Sequence, residues 1–334
     1  MDGYAVRAVD TPGRLRVAGH SAAGHPAAAG LHPGEAIEIS TGAVVPAGAD
    51  AVVPVERIAA FGGEIEAESV DPGDNVRPRG GDTKRGDAVV DAGTVLKPPQ
   101  LAALAAAGIA GVECARRPRV VVLPTGSELR PPGSELAPGE IYESNSVLLA
   151  AQVDGAEVLQ PAVDDEATLR AALERGLDAD VLLTSGGVSV GPHDLVRTLL
   201  AELGVEEVFW GVAVRPGKPL FFGVRGDTLV FGLPGNPVST LVGFELFVRP
   251  ALAALQGARE PGPHYLPGRL ARAVRRNPAR DDLVRAVAIG DELAPVSGQE
   301  SHMIVRAAAA NALIWVPRGD GELREGAHVS WLPI

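Results

Sequence analysis

Asp180–Leu195, DVLLTSGGVSVGPHDL, is the stretch that decides the fold of this chain. Val181, Leu182 and Leu183 form an apolar run of strand length. Ser185, Gly186 and Gly187 follow at once, with Ser189, Gly191 and Asp194 after them. Leu195, Val196, Leu199, Leu200 and Leu203 then recur at helical spacing, so the stretch reads as strand, glycine-rich turn and helix. Glycines let backbone amides approach an oxyanion with no Cβ in the way. Ser185 and Ser189 add hydroxyls, and Asp194 adds a carboxylate at the start of the helix. Together they suit a phosphate or small oxoanion, with a divalent cation on the carboxylate. A loop that only needs tight turns is the plain alternative, because a glycine loop alone is a weak motif.

The surroundings repeat this unit. Arg119–Leu123 is a continuous apolar strand followed by Pro124-Thr125-Gly126-Ser127-Glu128. Ser144-Asn145-Ser146 caps a helix running to about Val153. Val158–Val163 reads as a strand, and Asp164 or Asp165 caps a helix carrying Leu169, Leu173 and Leu177. Alternating strands and helices predict a mostly parallel, doubly wound sheet buried on both faces. Ligands of such sheets bind at the carboxyl ends of the strands, where Thr125–Glu128 and Ser185–Gly187 both lie. Leu229–Phe231 leads to a third such end, Gly232-Leu233-Pro234-Gly235-Asn236-Pro237-Val238-Ser239, with Asn236 as N-cap and Pro237 as first helical residue. Gly232 and Gly235 around a rigid proline read as another backbone cradle. Arg215-Pro216-Gly217-Lys218-Pro219 lies between the cradles, and its prolines hold two cations for a phosphate or oxyanion.

Further out, the chain changes character. Residues 1 to about 80 are β-rich and punctuated by glycine and proline, with strands at Glu35–Ser40 and Ala51–Val55 and a hairpin at Gly62-Gly63. Asp2, Thr41 and Asp82 sit at turns or termini, where turn chemistry is the ordinary explanation. Residues 76–88 are a basic, glycine-broken loop, and Pro98-Pro99 opens a short helix ending at Gly108. After Pro250 the helical pattern is expected to break. Prolines at 261, 263 and 267 mark a boundary, and strands at Leu270–Val274, Leu283–Ile289, Leu313–Val316 and Val329–Leu332 predict a small β-barrel or sandwich.

Composition narrows the chemistry. The 334 residues suffice for several domains, and 46% hydrophobic content for real cores. A net charge of −12 and 4% aromatic content argue against nucleic acid, which needs a basic surface and stacking platforms. Met1–Arg7 does not read as a signal peptide, and no apolar run approaches a membrane span. Cys114 is the single cysteine, which excludes an internal disulfide or a cysteine-based zinc site and fits a reducing cytoplasm. No Walker lysine motif, dinucleotide fingerprint or nucleophile elbow is present.

Several motifs coincide with one known family. LLTSGGVSVG at 182–191 with Asp194 resembles a molybdopterin-binding signature. PTGSEL at 124–129, RPGKP at 215–219 and GLPGNPVS at 232–239 occur in the family's order. So do MDGYA at 1–5, Thr41-Gly42 with GADAVV at 48–53, and Gln299–His302. The chain is identified by these as a member of the molybdopterin molybdenumtransferase family, MoeA, which includes the gephyrin E domain. The resemblance runs from Met1 to the C-terminus.

That resemblance implies four parts: a β-rich domain over 1–78, a remnant of a linking domain over 79–117, a molybdopterin-binding α/β domain over 118–260 and a C-terminal β-barrel over 261–334. It implies a cytoplasmic homodimer that inserts molybdate into adenylylated molybdopterin with Mg²⁺-dependent release of AMP. The adenylyltransferase of the same pathway is an implied partner. Asp194 and Glu128 would carry the metal, with Asp2 as a third catalytic group. Substrate would meet Thr125, Asp164, Ser185, Gly186, Gly187, Ser189, Arg215, Lys218, Pro234, Gly235, Asn236 and Ser239. Asp2, Thr41 and Asp82 would reach in from a partner subunit, and Arg285 and Ser301 from the barrel. Molybdate would sit among Arg215, Lys218, Arg285 and Ser301. Three departures stand out. The family's preceding helical segment is not seen before Met1, which reads as a late start or a truncation. Gly211 stands where some members have lysine, and Ser127 replaces a common aspartate. A molybdopterin adenylyltransferase and a non-catalytic gephyrin-like scaffold are the alternatives.

Overall fold

The computed structural model describes residues 1–162, 165–188 and 195–334, and they divide into two units. One comprises Met1–Val90 with Ala102–Gly108, the other Asp91–Leu101 with Ile109–Ile334.

The first unit is built on a six-stranded sheet ordered Ala51–Pro54, Gly3–Val6, Glu35–Ile39, Gly13–Ser21, Glu64–Ala67, Ile58–Phe61. The Gly62-Gly63 turn closes the expected hairpin. Its first strand is Ile58–Phe61, preceded by a 3₁₀ turn at Val55–Arg57. Alternation along the strands sends Val6, Leu15, Val53 and Ile65 into one core, leaving polar residues outside.

The second unit begins with the sheet that the Asp180–Leu195 stretch predicts. Glu157–Val158, Val120–Pro124, Val181–Ser185 and Thr228–Leu233 run parallel; Phe221–Arg225 and Glu206–Trp210 complete the edge antiparallel. Successive residues of the central strand feed opposite cores. Leu182 packs with helices Glu166–Gly176 and Leu195–Glu202, whereas Val181 and Leu183 pack with Asn145–Gln152 and the long helix starting at Pro237. Each such buried leucine contributes about 1.5–3 kcal/mol, so the strand ends above them are rigid.

Three local expectations are corrected. The strand expected over Val158–Val163 pairs only at Glu157–Val158, with an isolated bridge between Thr125 and Ala162, because Pro161 has no N–H for the ladder. The helix does not end at Pro250. It continues to Leu255 through a π turn at Phe244–Val248, which widens where the proline enters. This 19-residue helix is apolar enough by length and composition to cross a membrane, but Val238, Val242, Phe244, Val248 and Leu252 pack into the cores of the unit. Finally, the strand placed at Leu270–Val274 lies at Leu266–Leu270 and includes Pro267, while Glu292–Pro295 forms a strand that alternation alone did not reveal.

The C-terminal strands close on themselves. Asp281–Ile289, Glu292–Pro295, Leu266–Leu270, His328–Pro333 and Ala312–Val316 form a five-stranded barrel, the last pairing back to the first. One extra pairing locks this barrel to the α/β sheet's own chain. Val214 and Arg215 run parallel to Asp281 and Asp282. Across the same seam, the Val238 N–H donates to the Ser301 carbonyl at 3.0 Å.

Candidate functional site

The parallel register puts three strand ends on one rim. Ser185 lies opposite Pro124 on one side and Leu233 on the other. The Thr125–Glu128, Ser185–Gly187 and Pro234–Asn236 turns are therefore neighbours, as the sheet argument requires. Close approach explains the glycines. Gly186 has φ +95°, and a Cβ there would lie 2.7 Å from the Thr125 carbonyl oxygen. At Gly126 (φ +143°) a Cβ would lie 2.5 Å from Glu128 Oε2, so only glycine lets the Glu128 carboxylate fold over this turn.

Two of the expected substrate contacts, Thr125 and Gly186, make hydrogen bonds within the rim. Thr125 is buried, and both its N–H (3.0 Å) and its hydroxyl (3.2 Å) donate to the Ser185 carbonyl. The Gly186 N–H extends the ladder by donating to the Leu233 carbonyl at 3.0 Å. Among the described residues, the amides of Gly187, Gly235 and Asn236 remain without an acceptor, and these are the rim's available donors. Asn236 occupies the helix N-cap position but makes no capping bond, which leaves its side chain exposed and open.

Asn145 ties the rim together. It is buried, and Nδ2 donates to Ser185 Oγ at 2.7 Å and to the Gly235 carbonyl at 2.8 Å. Its Oδ1 is buried without a partner. The sequence showed only a helix cap at Ser144–Ser146. The capping is in fact done by the Glu143 carboxylate, which accepts from the Ser146 N–H (2.8 Å) and hydroxyl.

Where the barrel meets this rim, a cavity of about 630 Å³ opens. Pro234, Asn236 and Ser239 line it from the α/β side, Arg215 and Lys218 from the rigid loop, and Arg280, Asp282, Glu300, Ser301 and His302 from the barrel. Arg215 and Lys218 are both exposed here. Arg215 is fixed by Asp282, Nε donating to Oδ1 at 2.8 Å and Nη2 to the second oxygen. Burial pushes the Asp282 carboxyl above its ordinary pKa, and the Arg215 pairing pulls it back.

Arg285 lies inside the barrel wall. It is fully buried, and its guanidinium donates to the carbonyls of Gly298 (2.8 Å), Glu300 (3.2 Å) and Met303 (3.2 Å) and to Gln299 Oε1 (3.4 Å). It is the peg on which the Gly298–Met303 loop hangs, and it orients Ser301 without facing the cavity. Burial lowers its pKa, with the Glu300 charge opposing. Arg280, which the sequence shows only as one charge among many in RRNPARDD, lines the cavity instead.

The acidic residues are distributed as follows. Glu128 is exposed at the first strand end, and its carboxylate has no partner among the described residues. Asp194, Ser189 and Asp164 lie outside the described residues. Among the described residues no three His, Cys, Asp or Glu groups converge on one point. A single open carboxylate of hard oxygen donors still suits one face of a Mg²⁺ ion, which keeps waters or substrate oxygens at the rest. In the first unit, Asp2 Oδ1 accepts from the Thr41 N–H (2.6 Å) and hydroxyl (2.9 Å), and these bonds hold its pKa below the ordinary carboxylate value. Asp82 is exposed on the loop before the Pro98 helix.

Fold and site thus define an anion-handling α/β protein, with glycine-turned strand ends facing a cationic cavity walled by a barrel. Three family models match: the MoeA N-terminal region (domains I and II) over residues 1–108, a probable molybdopterin binding domain over 121–254, and the MoeA C-terminal region (domain IV) over 267–334. The chain is 39% identical to molybdopterin molybdenumtransferase 2 of Mycobacterium tuberculosis, covering 98% of this chain and 86% of that protein. It is 37% identical to the molybdopterin molybdenumtransferase of Haemophilus influenzae, with 100% and 86% covered. A crystal structure of the molybdopterin biosynthesis MoeA protein from Pyrococcus horikoshii OT3 superposes with a TM-score of 0.83 at 30% identity, covering 100% of this chain and 86% of that one. The chain belongs to the MoeA family.

Proposed function

We propose that this chain is a molybdopterin molybdenumtransferase, a transferase of molybdenum cofactor biosynthesis that inserts molybdate into adenylylated molybdopterin with release of AMP. The observation that carries this reading is the junction of the two halves of the site. The Pro234–Asn236 turn belongs both to the glycine rim, through the Asn145 bond to Gly235, and to the cationic cavity. A ligand with a phosphate at one end and a tetrahedral oxoanion beside it matches such a layout.

The roles follow from the chemistry of each group. The Gly187, Gly235 and Asn236 amides and the Ser185 hydroxyl bind the pterin phosphate, preorganised so that no donor has to reorient as charge develops. Thr125, Gly186 and Asn145 position those donors. Arg215 and Lys218 attract the oxyanion, and Ser239 and Ser301 donate hydroxyls to its oxygens. Glu128, with Asp194, would hold Mg²⁺, which when bound neutralises charge on phosphate oxygens during pyrophosphate cleavage. Asp2, Thr41 and Asp82 keep their assignment to the same substrate. Asp2 stays ionised through its Thr41 bonds. The four-part division at 78, 117 and 260, a homodimer, an adenylyltransferase partner and a cytoplasmic location belong to this reading.

The test is incubation with adenylylated molybdopterin, Mg²⁺ and molybdate. AMP release that depends on both added ions supports the proposal. ATP consumption with molybdopterin in place of AMP release would assign the chain to the adenylyltransferase reaction.

A further inference from the structure

Arg130 belongs to none of the motifs, yet it holds the turn that carries Glu128. Leu129 and Arg130 leave this turn as one strand of a small parallel ladder, and Ile141 and Tyr142 return as the other. Residues 131–140 between them are mostly exposed, so burial does little to fix this loop. Hydrogen bonds fix it instead. The Ile141 N–H donates to the Glu128 carbonyl at 3.0 Å, and the Glu143 N–H to the Arg130 carbonyl at 2.8 Å. The half-buried Arg130 side chain then folds back on its own turn. Its Nη1 donates to the Ser127 carbonyl at 2.9 Å and to the Leu129 carbonyl at 2.8 Å. These carbonyls stand on either side of Glu128, so one guanidinium brackets that residue's backbone.

The other end of the guanidinium decides what Glu128 can do. Arg130 Nη2 pairs with Glu140, whose second oxygen accepts from the Ala137 N–H at 2.8 Å. Arg130 is two residues from Glu128 and could neutralise it, but Glu140 takes that charge. The Glu128 carboxylate is left exposed and without a partner among the described residues. An open carboxylate on a fixed backbone suits a divalent cation, because less freedom is lost when the ion binds. The same strap reaches the far side of the rim. After Tyr142 comes Glu143, which caps the helix carrying Asn145, and Asn145 holds Ser185 and Gly235. The Glu128 turn is thereby joined by hydrogen bonds to the other two strand ends.

Building on the functional reading above, in which Glu128 holds Mg²⁺, we infer that Arg130 is a positioning residue for that carboxylate. It touches neither substrate nor cation. It sets the cation affinity by fixing the Ser127–Leu129 backbone and by keeping its own charge on Glu140. Mn²⁺ binding to the full chain is measured by electron paramagnetic resonance, together with the Mg²⁺ concentration for half-maximal AMP release. Arg130→Gln is expected to raise the Mn²⁺ Kd and the half-maximal Mg²⁺ concentration by roughly tenfold, as loss of a group supporting a metal ligand does. KM for molybdate is expected to keep its parent value. The melting temperature should change little, since partly exposed ion pairs contribute little to stability. Arg130→Lys keeps the charge without the fork and is expected to recover part of the affinity. Parental Mn²⁺ affinity of Arg130→Gln overturns the inference, whatever its melting temperature. So does a rise in KM for molybdate as large as the loss of Mn²⁺ affinity, which would mark a general loosening of the site. Glu128→Gln separates this inference from the reading it rests on. Weakened Mn²⁺ binding by Glu128→Gln beside parental binding by Arg130→Gln refutes the inference alone. Parental Mn²⁺ binding by Glu128→Gln, or a parent chain that binds no Mn²⁺, refutes the assignment of the cation to Glu128.

Discussion

Arg285→Lys separates a structural cation from a ligand-binding one. Lysine keeps the charge but not the fork, so an oxyanion contact would survive in part while a peg for carbonyls would not. In the structure four side-chain hydrogen bonds leave this guanidinium, three to backbone carbonyls and one to Gln299. At about 1 kcal/mol net for each, the set is worth about 4 kcal/mol. An ammonium can replace one or two of these bonds, but it leaves the other loop carbonyls that Arg285 serves short of their donor. A loss of about 3 kcal/mol is therefore expected for Arg285→Lys, and a similar or larger one for Arg285→Met, which strands all the acceptors. Urea unfolding followed by tryptophan fluorescence reads this out, because Trp315 and Trp331 both lie in the barrel strands. Ser301 should lose its placement at the same time, so turnover falls along with stability. An Arg285→Lys protein within about 0.5 kcal/mol of the parent, the ordinary range of a surface change, but with a raised KM for molybdate, would refute this reasoning and return Arg285 to the cavity.

Asn145→Ala removes the two bonds that join Ser185 to Gly235 and is expected to cost about 1–3 kcal/mol, with a larger fall in turnover than in melting temperature; unchanged turnover would show that the rim needs no such tie. Asp180 receives two hydrogen bonds from Arg116 and one from the Arg119 amide, and these hold its carboxyl at about 2, below the ordinary value of about 3.9. A folded-state pKa below the unfolded one stabilises the protein above about pH 4 and is lost as pH falls toward about 2. Asp180→Asn should therefore lower stability at neutral pH and flatten the acid limb of a stability–pH profile, and a parallel shift of the whole profile would contradict the assignment.

The α/β half was legible because its signals are local. A run such as Val181–Leu183 is too short for a helix and too apolar for a surface. The glycines after it mark where a chain must turn with no Cβ in the way. What could not be read is whatever depends on partners far away in sequence. Asn145 looks like a helix cap until Ser185 and Gly235, 40 and 90 residues on, close around its amide. Pro250 looks like a helix end until a π turn absorbs it. Arg280 and Arg285 illustrate the limit most clearly. Both lie on one short segment and carry one charge each. Motif resemblance selected Arg285, whereas burial turns that residue inward and leaves Arg280 facing the cavity.

The contrast between these arginines follows from how each charge is compensated. An arginine taken out of water must have its donors satisfied within the protein, and Arg285 meets that demand with four fixed acceptors. Having done so, it has little to offer a ligand, because any new bond would break an existing one in the same low-dielectric surroundings. Arg215 is intermediate: Asp282 holds two of its donors, and its exposed side keeps the rest. Lys218 and Arg280 make no ion pair among the described residues, although the Asp282 and Glu300 carboxylates line the same cavity. Under the proposed function, a cavity that binds a dianion and then releases it would benefit from this gradation. The buried cation sets the geometry of the loop, the paired one holds the barrel's first strand against the sheet's loop at Val214–Arg215, and the two open ones would meet the oxyanion.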